Sequence, residues 1–248
     1  MIKFWIRNIL PVFLVFLTSC TIEYDAQRIV DKTIAKHGGE LYKHSRTSFT
    51  FRNIEYTAEY DWGKFMYRRK MQDSLGIIVD KMTNDSFVRT IDGDTVNVSD
   101  EKAANYSSSI NSVIYFALLP YKLNDPAVIK EYLGQTTIKD EPYYEIMVNF
   151  KQEGGGEDHE DTFVYWIHRE NYTMDYLAYR FHVNDGGTRF REAYNVRTVN
   201  GIRFADYHNY GGPDMETPLQ TYDELFKNGE LEKVSEINLK NVEVEILN

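Results

Sequence analysis

The chain has 248 residues, 42% of them hydrophobic and 15% aromatic, which is enough apolar material for a sizeable core and too much for a disordered segment. Lys and Arg total 28 against 38 Asp and Glu, a formal charge of −10, so the basic footprint that nucleic acid demands is missing. A single Cys excludes an internal disulfide, a CxxC redox pair and a Cys-rich zinc site.

The N-terminus reads as an address. Lys3 and Arg7 precede an apolar run, Ile9–Leu17, broken only by Pro11. That run falls well short of the roughly 20 apolar residues that span a bilayer. Its charge, length and small-residue exit predict a secretory signal over residues 1–19. The exit, Leu17-Thr18-Ser19-Cys20, resembles the bacterial lipobox. The resemblance implies cleavage before Cys20, a diacylglycerol on its sulfur and acylation of the new amine. Three acyl chains exceed the two signals that stable anchoring takes. Thr21 stands where an inner-membrane retention signal would place Asp. The expected location is therefore the cell envelope, lipid-anchored, at the outer membrane facing the periplasm, with the membrane itself as a partner.

From Ile22 onward Ala26, Ile29, Val30, Thr33, Ile34 and His37 recur at helical spacing, predicting a helix over about 23–37 that Gly38-Gly39 ends. Beyond Ser45 the period becomes two. Strands are expected at Thr47–Ala58, Glu59–Met71, Gly76–Thr83, Phe87–Ile91 and Thr95–Val98, with turn signals at Trp62-Gly63, Asp73-Ser74, Asn84-Asp85 and Asp92-Gly93-Asp94. Ser99 can cap a helix from Asp100 to about Leu119, which Pro120 ends; Asn124-Asp125-Pro126 opens a further turn, giving a helical insert over about 100–130. Strands resume at Thr136–Lys139, Tyr143–Lys151, Thr162–His168, Met174–His182, Thr188–Val199 and Ile202–Tyr210, the last two joined by the hairpin turn Asn200-Gly201. A polar stretch from Gly211 to Gly229 precedes a last strand, or strand pair, over Glu232–Ile246. The expected architecture for residues 20–248 is one mainly β (α+β) domain: a single strongly curled antiparallel sheet or an incomplete β-barrel, with helices packed in or over its concave face.

Motifs for chemistry are weak one at a time. Glu153–Asp161 gathers five carboxylates and His159 around a triple Gly, but lacks the ligand spacing of a calcium loop and reads as a solvated hairpin tip. No metal and no cofactor are expected. Alternation puts Arg189, Arg191, Ala193 and Asn195 on one face of their strand, and Phe190, Glu192, Tyr194 and Val196 on the other. Arg180, His182, Arg191, Asp206 and His208 together could bind an anionic head group or act as an acid–base set; the plainer reading, preferred here, is the outer, wetted face of an antiparallel sheet. Nucleophile elbows, zinc-protease helices and dinucleotide fingerprints are missing. The aromatic wealth points elsewhere, to a hydrophobic ligand. Tyr115, Phe116, Leu118, Leu119, Tyr121, Tyr165, Tyr179 and Tyr194 are the expected ligand-binding residues, with ordinary core packing as the alternative.

Several segments carry a resemblance: Ala26–His37 with Gly38-Gly39, the run Ile114–Pro126, Tyr165-Trp166-Ile167, Tyr172–Leu177 and Phe190–Tyr194. They resemble a domain-of-unknown-function family of bacterial envelope lipoproteins, over nearly the whole mature chain. The strand–helix–strand order is also similar to that of the Lol-type outer-membrane lipoprotein-sorting carriers, whose incomplete barrel encloses an acyl-binding cavity. The resemblance implies a non-enzymatic binder or carrier of a lipid or other hydrophobic ligand. An envelope hydrolase using the Arg/His/Asp face is the alternative, and an outer-membrane assembly partner a third.

Overall fold

The computed structural model describes residues 24–153, 160–182 and 185–247. Helix α1 (Ala26–His37) starts where Asp25 accepts the amide of Gln27 at 2.9 Å, and stops at Gly38 and Gly39, both at positive φ. A Cβ on Gly38 would stand 3.0 Å from the Tyr42 ring, so that stop needs glycine for space as well as for conformation. Six strands follow: β1 (Ser45–Phe51), β2 (Ile54–Asp61), β3 (Lys64–Asp73), β4 (Gly76–Thr83), β5 (Phe87–Ile91) and β6 (Asp94–Val96). Helix α2 (Asp100–Ala117), with Ser99 as its N-cap, leads into β7 (Val128–Ile138), β8 (Glu141–Phe150), β9 (Thr162–His168), β10 (Met174–Phe181), β11 (Gly187–Val199) and β12 (Ile202–Gly211). A short helix α3 (Tyr222–Lys227) precedes β13 (Glu232–Ile237) and β14 (Lys240–Ile246).

Among the described residues the strands pair antiparallel in two sheets of seven, β14-β1-β2-β3-β4-β5-β6 and β13-β12-β11-β10-β9-β8-β7. The chain passes from one sheet to the other at the β13–β14 corner, while β6 and β7 remain open edges bridged by α2. The mainly β expectation holds in its incomplete-barrel form: the assembly is open, and hydrogen bonding divides it in two rather than running through one sheet. The segment read as a single strand over Thr47–Ala58 is a hairpin. Its turn residues, Arg52 and Asn53, both take positive φ, a geometry that Asn tolerates and Arg does not advertise. Strand β7 begins at Val128, inside the stretch expected to be helical, and the polar segment before β13 contains α3.

Three apolar clusters hold these pieces. One fills the concave face of the second sheet, where Ile146, Phe163, Tyr165, Leu177 and Tyr207 meet Ile29 and Val30 of α1 and Tyr115 and Phe116 of α2. A second lies between the first sheet and α2, with Phe49, Tyr56, Ala58 and Tyr67 against Ile110, Ile114 and Leu118. The third covers the convex face of the second sheet, where α3 lays Tyr222 and Phe226 against Phe190, Trp166 and Tyr176. Helix α2 thus has an apolar stripe for each sheet.

Polar chemistry fixes where α2 lies. Asp80 on β4 is fully buried and accepts from Arg69 Nη2 at 2.7 Å and Arg89 Nε at 2.6 Å. Arg69 donates onward to Ser109 Oγ at 3.1 Å, and the Arg89 guanidinium sits 3.5 Å from the centre of the Tyr106 ring, both on α2. Removing the shared carboxylate leaves two arginines buried without a counter-charge. Asp80→Asn should therefore lower stability by about 3–5 kcal/mol, whereas exchanging Arg69, Asp80 and Arg89 together for Met, Leu and Met should lose far less. Urea unfolding of both variants is the measurement; equal losses would contradict this account.

His37, at the end of α1, is 1% exposed, and its Nε2 accepts the Met174 amide at 3.1 Å. Burial, and then the Arg203 guanidinium, push its pKa down from 6.5 to about 3. A lowered folded-state value means the unfolded chain takes up the proton first, so stability falls as pH drops below 6.5 and keeps falling toward 3. Between pH 7 and pH 5 this one group should remove about 2 kcal/mol. His37→Gln should flatten the pH dependence of urea unfolding by that amount, and an unchanged slope would refute the assignment.

Candidate functional site

The concave side of the second sheet is wider than α1 and α2 can fill. Between the C-terminal half of α2 and strands β10 to β13 lies a cavity of about 470 Å³, open to solvent on one side. This is within the roughly 300–1,000 Å³ typical of small-ligand sites. Helix α2 contributes Ser112, Val113, Phe116 and Ala117; β10 contributes Tyr179 and Phe181; β11 contributes Arg189 and Arg191. Ala205, Tyr207 and Asn209 come from β12, and Val234, Ser235 and Ile237 from β13. Leu239 at the sheet corner and Phe51 and Arg52 at the β1–β2 turn complete the wall. Strand alternation explains this set, since on both β11 and β12 it is every second residue that faces the hollow.

The aromatic floor is continuous. Phe116 lies 5.2 Å from Tyr179 between ring centres, and Tyr179 lies 5.9 Å from Phe181. The Arg191 guanidinium is held above it, 4.2 Å from the Phe116 centroid and 4.9 Å from that of Tyr179. Its Nη2 donates to Tyr179 Oη at 2.7 Å and its Nε to Asn209 Oδ1 at 3.4 Å. Burial raises the pKa of Tyr207, with Arg203 and Arg191 opposing, so this phenol is neutral at physiological pH.

Of the eight residues expected to bind ligand, Phe116 and Tyr179 line the cavity. Tyr115 and Tyr165 are neighbours deeper in the concave core, with hydroxyls 3.3 Å apart, and Leu119 belongs to the same cluster. Leu118 and Tyr121 pack with the first sheet, where Tyr121 stacks on Tyr42 at 4.7 Å. Tyr194 lies on the opposite face of β11, stacked on His208 at 4.0 Å and hydrogen-bonded to Asn238.

The five residues of the alternative polar site are not one constellation. Only Arg191 faces the cavity. Asp206 is buried at the corner, where it accepts from Asn195 Nδ2 at 2.6 Å, Arg197 Nη1 at 3.2 Å and the Leu239 amide at 2.9 Å. His208 is taken up by Tyr194 and stands 3.7 Å from Glu236. Arg180 donates to the Thr217 carbonyl at 3.0 Å, and His182 stands 3.5 Å from Asp161. Within the acidic loop, residues 154–159 lie outside the described residues, as does Cys20. Among the described residues no group of three or more His, Cys, Asp or Glu could hold a metal ion, and no helix is long and apolar enough to cross a membrane. The cavity residues missed in the sequence include Ala205, Tyr207 and Asn209 on β12 and Val234 and Ile237 on β13. Their alternation was available, but which face turned inward was not.

An open half-barrel of antiparallel strands with helices on its concave face defines a LolA-like fold. A crystal structure of a LolA superfamily protein from Nitrosomonas europaea is similar at 10% identity, over 91% of this chain and 94% of that one, with a TM-score of 0.50. A DUF1329 family protein from Desulfovibrio piger is similar at 8% identity, over 88% and 92% of the two chains, with a TM-score of 0.48. The lipoprotein LppX of Mycobacterium tuberculosis matches over 64% of this chain and 88% of its own, at 8% identity and a TM-score of 0.29. No curated protein sequence matches. The chain belongs to DUF6503, a family of unknown function, whose model matches residues 7–239.

Proposed function

We propose that this chain is an envelope lipoprotein that binds a lipid or other hydrophobic ligand in the cavity beneath α2 and does not transform it. The observation that carries the reading is the cavity itself: about 470 Å³, floored by Phe116, Tyr179 and Phe181. Well-packed interiors leave few voids larger than a water molecule, so a hollow of this size between a helix and a sheet has the character of a site rather than of imperfect packing. Lipid on Cys20 would tether the protein at the outer membrane, facing the periplasm. The short segment between Cys20 and Ala26 spans at most about 20 Å, which would hold the domain close to the bilayer.

Two measurements test this. Native mass spectrometry of the full chain, released gently from a non-ionic detergent micelle, should reveal a co-purifying lipid or uptake of added fatty acid or phospholipid. Phe116→Asp should reduce occupancy at least tenfold, by placing a charge on the apolar floor. Ala117→Trp, which fills the hollow without charging it, should do the same in a protein that still unfolds cooperatively. An empty wild-type protein with no uptake overturns the reading. Separately, Cys20→Ser should abolish incorporation of an alkyne-labelled fatty acid and release the protein from the membrane fraction; persistent labelling would refute the anchor.

A further inference from the structure

The wall of the cavity carries a charge imbalance that runs against the whole chain. Acidic residues outnumber basic ones 38 to 28 in the sequence, yet three arginines, Arg52, Arg189 and Arg191, line the cavity and no Asp or Glu does. None of the three has an ion-pair partner among the described residues. What sets Arg191 apart is burial: among the described residues Arg69, Arg89 and Arg191 are the buried arginines, and Arg69 and Arg89 share the carboxylate of Asp80 while Arg191 has no carboxylate beside it. Arg191 is the decisive one. It is 9% exposed, its described partners are a phenol, an amide oxygen and two ring faces, and a guanidinium has five N–H donors to satisfy. Arg189 stands two residues away on the same face of β11, its Nη1 bonded to the Thr188 carbonyl and its guanidinium 5.4 Å from the Phe181 centroid. A guanidinium held against two aromatic rings at the wall of a hollow from which water is partly excluded, with no carboxylate beside it, is placed to receive an anion.

We infer that the ligand is a single-chain amphiphile with an anionic head, a carboxylate or a phosphate, whose head is received by the Arg191 and Arg189 guanidinium groups while its tail lies against Val113, Ala117, Ile237 and Leu239. The inference rests on the apolar-cavity reading above and narrows it. The guanidinium fork suits the two oxygens of a carboxylate or phosphate, and such charge-assisted hydrogen bonds are the strong ones in a site from which water is partly excluded. The volume favours one chain: about 470 Å³ is in the lower half of the small-ligand range, too little for a three-chain anchor of the kind expected on Cys20. The cavity as built thus selects against neutral lipids through the unanswered arginines, and against multi-chain lipids through its size.

The test compares chains of equal length. Native mass spectrometry of the full chain from a non-ionic detergent micelle is run with palmitate, hexadecyl phosphate and hexadecanol. Palmitate or hexadecyl phosphate should bind roughly tenfold or more tightly than hexadecanol, and whichever binds better identifies the head group. Arg191→Met should erase that preference, so that the variant binds palmitate, hexadecyl phosphate and hexadecanol within about twofold of one another; a merely structural role for Arg191 would weaken all three and keep their ratio. Arg189→Gln, at a more exposed position, should reduce the preference in part and guards against a folding defect in the first variant. Equal binding of all three probes by the wild-type protein overturns the anionic-head inference and leaves the apolar cavity standing. Binding of none overturns both.

Discussion

Everything about the interior depends on one helix lying between two sheets. Helix α2 directs Ile110, Ile114 and Leu118 into the first sheet and Tyr115 and Phe116 into the second, so neither concave face has a complete core without it. Apolar packing alone would allow the helix to slide, because aromatic and aliphatic contacts are non-directional. The Arg69–Asp80–Arg89 group removes that freedom by fixing Ser109 and Tyr106, about two to three turns before Tyr115 and Phe116. A buried ion pair of this sort is weak evidence for stability; its value here is positional. It sets the depth at which Phe116 enters the hollow.

The second constraint is the corner. Asp206 gathers the Asn195 amide group, the Arg197 guanidinium and the Leu239 backbone at one carboxylate, where the β11–β12 register shifts and the chain leaves one sheet for the other. A carboxylate saturated by three donors is a structural joint. Strand β13, which ends just before Leu239, supplies Val234, Ser235 and Ile237 to the cavity wall. The joint and the cavity thus share a strand, and the register shifts on either side of β12 are of the kind that bend a sheet toward a barrel.

How much of this was legible follows from which signals are local. The stop at Gly38-Gly39, the capped start of α2 at Ser99 and strands such as Gly76–Thr83, Phe87–Ile91 and Thr162–His168 depend on turn chemistry and period, and both read directly from the residues. The turn at Arg52-Asn53 does not, because only one of its residues is a turn former. Helix α3 was hidden for a different reason. It is six residues long, and its burial of Tyr222 against Phe190 is tertiary, in a segment whose composition is polar. That omission decided the reading of β11. With nothing expected over Phe190, the Arg189 and Arg191 side could be taken as the outer one; once α3 covers Phe190, the arginines are the face left for the cavity. Alternation along β11 was correct in the sequence, and only its direction needed the missing helix.

The size of the hollow argues that it is maintained rather than tolerated. A well-packed interior leaves few voids larger than a water molecule, and this hollow of about 470 Å³ is far larger than that. The means to close the hollow are simple, since Ala117, Ala205 and Ser112 all face it and each could be replaced by a larger apolar residue. Small side chains stand where large ones would stabilise, while the rest of the second sheet is packed with Trp166, Tyr165 and Phe190 at full burial. Space has been kept beside a tightly filled core, and a ligand that fills it would offset the same deficit that leaving it empty creates.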